Sequence, residues 1–308
     1  MTEQVQQQIN AANPDEIDLK ELFSAIWAGK WIIIATTFLF SVAAVFYALS
    51  LPNIYKSEVT LAPAGESGGL NIPGQLGGLA ALAGVNLSGE GGDKTGLALE
   101  ILKSREFIGR FIEQNDLYLP IMAAKGWDRT ADKLLINPKM FDEQTKQWVR
   151  EVEPPFQLRP SKLETFEEFK KLFSVNQDKN TGMVKLSVEH YSPYIAKIWV
   201  DKLVKAINEE MRRRELAEAE RSISYLNSQI EQTILADVRS MLFSLIEEQT
   251  KTVMLAHVRD EYVFKTVDPA VVAENKAKPS RVIMIIMISV LGFILSSFIV
   301  LINYFKRK

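Results

Sequence analysis

Two long apolar runs without a charged residue constrain this chain more than any other feature of its sequence. The first covers 21 residues from Trp31 to Leu51, and the second covers 23 residues from Val282 to Tyr304. A helix rises about 1.5 Å per residue and the hydrocarbon core of a bilayer is about 30 Å thick, so either run can cross it. The sequence therefore predicts two transmembrane helices, one near each end of the chain.

These runs divide the chain into five predicted segments. They are an N-terminal segment with a juxtamembrane helix (1–30), the first span (31–51), a large domain (52–281), the second span (282–304) and a short tail (305–308). The juxtamembrane helix is predicted from Asn13-Pro14-Asp15-Glu16, which supplies a side-chain cap, a proline and acids in the first turn. Lysine and arginine flank the spans almost equally on both sides. Charge bias therefore leaves the orientation open.

The large domain shows both strand and helix periodicities. Helical spacing predicts helices at 97–115 and 164–172. Alternation of apolar and polar residues predicts a hairpin of Leu172–Asp178 with Met183–His190, and further strands at Tyr55–Leu61 and Tyr262–Val267. We expect an α/β base built from these elements. The Gly-rich stretch at 65–96 lacks the Walker spacing and is predicted to be a flexible or close-packing segment.

A long helical region follows the hairpin. Ser192-Pro193 is a typical helix start, and no glycine or proline occurs again before Pro269. A single helix over residues 194–258 would extend about 98 Å. If the strand predicted at Tyr262–Val267 joins the same sheet as Met183–His190, the chain has to return. The sequence thus predicts a long helical hairpin over about 193–258, with its turning point open, and an α+β membrane protein as the fold class.

Residues 208–221, NEEMRRRELAEAER, are polar nearly all round, which predicts a solvated helix with pairs such as Glu209–Arg213 and Glu210–Arg214. The run Arg212-Arg213-Arg214 could form a polyanion or nucleic-acid patch, but the interleaved glutamates neutralise it. We therefore expect a solvated face and no nucleic-acid partner.

No catalytic constellation is visible in the sequence. The two histidines, His190 and His257, lie in different elements, cysteine is absent, and there is no Gly-x-Ser-x-Gly elbow. We expect no enzyme activity, no catalytic residue, no cofactor and no metal site.

An ordered set of short motifs resembles one known family. It begins with Ile17-Asp18-Leu19-Lys20-Glu21-Leu22, Trp27, Lys30-Trp31, the first span and Tyr55-x-Ser57. It continues with GMVKLSVEHYSP from Gly182 to Pro193, then Ala196, Trp199, Asn208, the three arginines and Ser224-Tyr225-Leu226. In this order the chain resembles the Wzz-type O-antigen chain-length determinants, or polysaccharide co-polymerases. The proline-rich stretch of that family is thin here, with Pro269 and Pro279 remaining.

The resemblance implies a bacterial inner-membrane protein with both termini cytoplasmic and the main domain periplasmic. It implies a ring-shaped homo-oligomer that sets the modal length of O-antigen made by a Wzy-type polymerase, without bond-making chemistry. The implied partners are further copies of the chain, that polymerase, the growing polysaccharide and membrane lipid. Some relatives carry a cytoplasmic kinase domain after the second span, which is not expected here because only four residues follow Tyr304.

The candidate functional or packing positions are Pro269, Pro279, Gly292, Ser296, Arg212, Arg213 and Arg214. Gly292 and Ser296 form a small-x-x-x-small pair that permits close approach of another helix, either the first span or the polymerase. Two other functions stay open at this point: a periplasmic sensor or receptor with two flanking spans, and a polysaccharide export adaptor.

Overall fold

The computed structural model describes residue 23, residues 26–64 and residues 90–306, except for the side chains of 90–93 and 304. The predicted helix start at 13–16 and most of the Gly-rich stretch lie outside the described residues. The chain divides into two compact units, a span unit (Met1–Pro52 with Lys278–Lys308) and a loop unit (Asn53–Ala277). In chain order the elements are α1 (Lys30–Ser50), β1 (Tyr55–Pro63), α2 (Glu90–Lys103), α3 (Arg105–Gln114), α4 (Tyr118–Met122), β2 (Ala124–Asp128), β3 (Lys133–Ile136), β4 (Phe141–Asp142), β5 (Gln147–Trp148), α5 (Lys162–Leu172), β6 (Phe173–Gln177), β7 (Val184–His190), α6 (Pro193–Gln232), α7 (Ala236–Val258), β8 (Phe264–Asp268) and α8 (Arg281–Lys306).

The span unit consists of α1 and α8, which pack along each other. Both helices are long and apolar enough to cross a membrane by length and composition. The residues that face away from the pair are large and apolar, including Phe38, Phe46 and Phe298, each more than half exposed. The predicted mixed α+β fold with two candidate membrane helices is thus confirmed in the part of the chain that the structure describes.

A four-stranded antiparallel sheet forms the centre of the loop unit, in the order β6-β7-β1-β8. The predicted β6–β7 hairpin is confirmed, with Gly182 at a positive φ of 70° in its turn. The last strand, β8, joins the same sheet by pairing with β1 rather than with β7. The sheet therefore brings together strands that are more than 200 residues apart in sequence.

The helices α2, α3, α5 and the first half of α6 bury their apolar side chains with the sheet in one core. The single helix predicted at 97–115 is broken, because the Ser104 side chain accepts a hydrogen bond from the Phe107 amide at 3.2 Å and starts a new helix there. Helix α5 begins with a capping box between Ser161 and Glu164.

Residues 124–160 form two small antiparallel pairs, β2–β3 and β4–β5, and a loop. Arg150 belongs to this loop, and its side chain is almost fully buried. It donates two hydrogen bonds to the Glu164 carboxylate, at 2.8 and 3.0 Å, and others to the carbonyls of Gln157 and Leu158. A buried guanidinium therefore holds the loop in place, and its hydrogen bonds keep the pKa of Glu164 below its usual value.

The predicted helical hairpin is present and turns at residues 233–235. Helix α6 has 40 residues, which corresponds to about 60 Å. Helix α7 packs back along it, so that His257 near the end of α7 lies beside Leu216 and Ala217 of α6. The turn follows Gln232 without glycine or proline, which is why the sequence did not reveal it.

Candidate functional site

Small and buried residues line the contact between α1 and α8, which we call the span seam. On α8 they are Gly292, Ser296 and Val300, spaced four residues apart on one face, and on α1 they include Ala44 and Ala48. The seam thus contains two of the positions singled out from the sequence. Their spacing lets the two helix backbones approach closely.

Gly292 lies directly against Phe40 of α1. A Cβ atom at position 292 would come within 2.7 Å of the Phe40 Cβ and Cγ atoms. Just before the first residue of α1, a Cβ atom at Gly29 would collide with Val300. Any larger side chain at either glycine would force the spans apart.

Hydroxyl groups add polar contacts to the seam. The Oγ atoms of Ser41 and Ser289 lie 2.7 Å apart across it, and the Ser296 hydroxyl donates to the Phe293 carbonyl of its own helix at 2.9 Å. The hydroxyls of Thr37 and Ser297 are buried without a hydrogen-bond partner among the described residues. Ser296 thus contributes small size and burial rather than a bond between helices.

Pro279 lies just before α8 and is half-buried. Its carbonyl accepts a hydrogen bond from the Arg281 amide at 3.0 Å. The Arg281 guanidinium reaches the end of α1, where Nε donates to the Ala48 carbonyl at 2.9 Å and Nη2 to the Leu51 carbonyl at 3.3 Å. In the sequence Arg281 is only a charge that flanks an apolar run, so this contact is not predicted from it.

The first half of α6 is fixed to the sheet by Asn208, which is 5% exposed. Its Oδ1 atom accepts from the amides of Val263 at 2.8 Å and Phe264 at 3.0 Å, and its Nδ2 atom donates to the Phe264 carbonyl at 3.1 Å. One side chain therefore satisfies three backbone groups at the point where the chain returns from the hairpin to β8.

The glutamate two residues further on, Glu210, is also buried and binds three guanidiniums. It accepts from Arg213 and Arg214 at 2.6 Å each and from Arg110 of α3 at 3.0 Å. Burial by itself would raise the pKa of Glu210, but the hydrogen bonds from Arg213 and Arg214 and the charge of Arg110 outweigh it, so the pKa lies below its usual value. The carboxylate is therefore ionised at neutral pH.

The prediction that residues 208–221 form a helix solvated on all sides is wrong at its N-terminal end. Asn208, Glu210 and Met211 are buried because α3 and the loop before β8 cover that face. The predicted pair Glu210–Arg214 is present, but Glu209 pairs with Arg212 rather than Arg213. Arg213 and Arg214 remain substantially exposed on their outer edges.

A cleft of about 480 Å³ lies between α6 and the segment around β8. Two candidate positions that are distant in sequence, Arg212 and Pro269, both line it, together with Asp201, Lys205, Asp260 and Glu261. The cleft is open, and charges of both signs line it. It offers polar contacts for a hydroxylated ligand but no paired nucleophile and base.

The two histidines differ in burial: His257 is exposed, whereas His190 is buried. His190 is 2% exposed, its Nδ1 atom accepts from the Ser192 amide at 3.1 Å, and its Nε2 atom lies 3.1 Å from the Pro120 carbonyl. Burial lowers the pKa of His190 to about 4, so the imidazole is neutral and donates through Nε2. In the described residues, no group of three His, Cys, Asp or Glu side chains could hold a metal ion.

Residues 15–115 match the family model described as Wzz, chain length determinant protein. The family resemblance that we inferred from the sequence is thus confirmed over about a third of the chain, from the leader through the first span and β1 to α3. No curated protein matches the chain.

Two solved structures are similar in chain course. One is a full-length bacterial polysaccharide co-polymerase, at 13% identity and a TM-score of 0.40, with 94% of this chain and 98% of that chain covered. The other is a fragment of WzzB, a polysaccharide co-polymerase from Salmonella Typhimurium, at 10% identity and a TM-score of 0.31, covering 73% of this chain and 100% of that one. At these TM-scores neither likeness decides the function.

Proposed function

We propose that this chain is a non-enzymatic regulator of O-antigen chain length in lipopolysaccharide. The observation that carries the proposal is the match of residues 15–115 to a family of chain length determinant proteins. Two long apolar helices agree with an inner-membrane protein anchored at both ends of a large domain. Both termini would lie in the cytoplasm and the loop unit in the periplasm.

The regulator would act as a ring-shaped homo-oligomer beside a Wzy-type polymerase. The distal part of the hairpin supports an oligomer, because large apolar side chains along it are not covered by the part of the chain that the structure describes. Ile234 is 95% exposed, Met241 57% and Leu245 41%. Apolar area of this kind on an extended helical hairpin is stabilised by burial against another surface, and neighbouring copies would supply it.

The growing polysaccharide would pass the loop unit rather than react in it. The cleft lined by Arg212 and Pro269 presents carboxylates and cationic groups, which suit hydrogen bonding to sugar hydroxyls. Arg213 and Arg214, held by Glu210 with their outer edges exposed, extend this polar surface along α6.

The direct test is the lipopolysaccharide banding pattern of a strain that lacks this chain. We expect the modal length to disappear and to return on complementation with the wild-type chain. An unchanged ladder would contradict the proposed function. Loss of all long polymer would favour an export adaptor instead, and an unchanged ladder together with a ligand bound to the loop unit would favour a receptor.

Variants of the chain expressed in the deletion strain test whether the candidate positions affect the polymer length. We expect Gly292→Leu and Pro279→Leu to change the modal length, because Gly292 has no room for a side chain beside Phe40. Val290→Leu, at a half-exposed position of the same helix, is the matched control and should leave the ladder unchanged. Unchanged ladders from both test variants would argue against a role of the spans.

Orientation can be tested separately because the chain contains no cysteine. Single cysteines introduced at Ser228 and Thr2 should differ in reaction with a membrane-impermeant thiol reagent. We expect labelling at position 228 in intact spheroplasts and labelling at position 2 only after permeabilisation.

A further inference from the structure

The side chain of Arg281 connects the first residue of α8 to the last turn of α1. It donates to the carbonyl of Ala48 within that turn and to the carbonyl of Leu51 just after it. The last four carbonyls of a helix have no partner in their own helix. The Ser50 hydroxyl satisfies the Tyr47 carbonyl at 2.8 Å, and Arg281 satisfies Ala48. A carbonyl in the last turn of α1 therefore has its hydrogen-bond donor on the other span.

Arginine suits this position for two physical reasons. A positive charge near a helix C-terminus is stabilised by the partial negative charge of the free carbonyls. The planar guanidinium also presents donors in a fixed fork, so that it can reach two carbonyl oxygens at once. A lysine has the charge but offers a single flexible nitrogen.

The rest of the seam depends on the axial position of α8 along α1. Gly292 lies under Phe40, and Ser289 contacts Ser41. A slip of one helical turn, about 5.4 Å, would place a residue with a side chain under Phe40 and would separate the two serines. Yet helix pairs in membranes gain only about 0.6 kcal/mol from a typical interhelical hydrogen bond. A single serine contact is therefore a weak determinant of register.

We propose that Arg281 is a positioning residue that fixes the axial register of the two spans. Its two bonds to the end of α1 set which residues of α8 face Phe40 and Ser41. That this register is needed to control polymer length rests on the proposed function above, whereas the register itself does not.

Disulfide crosslinking tests the register directly, in the full chain in native membranes. In the cysteine-free background, Ser41→Cys with Ser289→Cys should crosslink on oxidation, because the two Oγ atoms are 2.7 Å apart. Crosslinked spans stay joined when the loop unit is cut at an introduced protease site without reductant. The pairs Ser41→Cys with Ile285→Cys and Ser41→Cys with Phe293→Cys report a slip of one turn in either direction.

We expect Arg281→Gln to lower the yield of the 41–289 crosslink about fivefold, as for the loss of one to two hydrogen bonds, and to raise one of the slipped pairs. Arg281→Lys should keep part of the yield. Lys276→Gln removes an exposed charge that lies five residues earlier in the sequence and is the matched control. Yields are compared at equal amounts of membrane-inserted protein.

The outcomes separate the two proposals. An unchanged 41–289 yield in Arg281→Gln, or no crosslink in the wild-type background, would overturn the register proposal and leave the deletion-strain test untouched. A slipped register with an unchanged ladder would overturn the need for this register in length control. A slipped register with a changed modal length supports both.

Discussion

The two halves of α6 carry comparable numbers of charged residues but have different surroundings. In residues 193–211 the apolar stripe of Trp199, Val200, Leu203 and Ile207 is fully buried against the sheet and α5. In residues 212–232, all described by the structure, Ala219 is the one buried side chain. The same helix is therefore part of a core at its base, whereas its distal half packs against α7 and leaves most of its side chains exposed or half-buried.

This difference indicates where each half obtains its stability. The base half is stabilised by contacts within one chain. The distal half is stabilised by its helix partner α7 and by any further surface that buries its exposed apolar side chains. Substitutions in the base half should therefore change the free energy of unfolding of the chain. Substitutions in the distal half should instead change association.

The largest expected effect is that of Trp199→Ala. Trp199 is 3% exposed and packs against Phe169 and His190, with ring centroids 5.7 and 4.9 Å apart. We expect the free energy of unfolding to fall by about 3–5 kcal/mol, measured by denaturant titration of the detergent-solubilised chain with circular dichroism. Tyr225→Ala, at an exposed position of the distal half, is the control and should cost less than about 0.5 kcal/mol. Similar losses from both would remove the distinction between the halves.

Acid pH should also act on the base half through His190. The pKa of His190 is lowered to about 4 in the folded chain, against about 6.5 when unfolded. The unfolded state therefore binds more protons between pH 6.5 and 4, so stability is complete above pH 6.5 and falls by up to about 3 kcal/mol as the pH drops to 4. Denaturant titrations across this range measure the slope.

The control for this pH dependence is His190→Gln, whose amide can still accept from Ser192 and donate to Pro120 without titrating. The difference in slope between this variant and the wild type isolates the contribution of the histidine from that of all other groups in the chain. Equal slopes in both would contradict the assigned environment of His190.

A smaller loss is expected from Asn208→Ala. This change leaves the buried amides of Val263 and Phe264 without their acceptor, which should cost about 2–3 kcal/mol. The matched control is Asn227→Ala on the exposed distal half of the same helix, with an expected change within about 0.5 kcal/mol. Hydrogen exchange should show faster opening at residues 263 and 264 in the first variant only.

The sequence was sufficient for features that depend on local pattern. Ser192-Pro193 predicted the start of α6, and the alternation of apolar and polar residues after Phe173 and Met183 predicted the β6–β7 hairpin. Both features depend only on residues that are close together in the sequence. Contacts between distant segments could not be predicted in this way. Asn208 and Glu210 looked like ordinary solvated helix positions, since their partners lie about 55 residues later, in Val263 and Phe264, and 100 residues earlier, in Arg110.

For the candidate positions, too, the sequence predicted local features but not the contacts with distant residues. The spacing of Gly292 and Ser296 predicted a close helix contact, but only the structure identifies Phe40 as the residue against Gly292. Arg212 and Pro269 belong to separate sequence motifs and meet at one cleft because β8 pairs beside β1. A charge next to an apolar run, such as Arg281, is expected at a membrane boundary for many reasons, so its bonds to the end of α1 left no distinct signal in the sequence.

The smallest effect on the stability of a single chain is expected at the distal end, from Ile234→Ser and Met241→Ser. Both side chains are largely exposed, so each change should alter the free energy of unfolding by less than about 0.5 kcal/mol. If neighbouring copies cover these side chains, the same variants should lower the yield of chemically crosslinked oligomers and change the polymer ladder, whereas Ser240→Ala should do neither. Full oligomer yields from both apolar variants would mean that another partner covers the distal half, because burial of side chains this large would otherwise contribute to association.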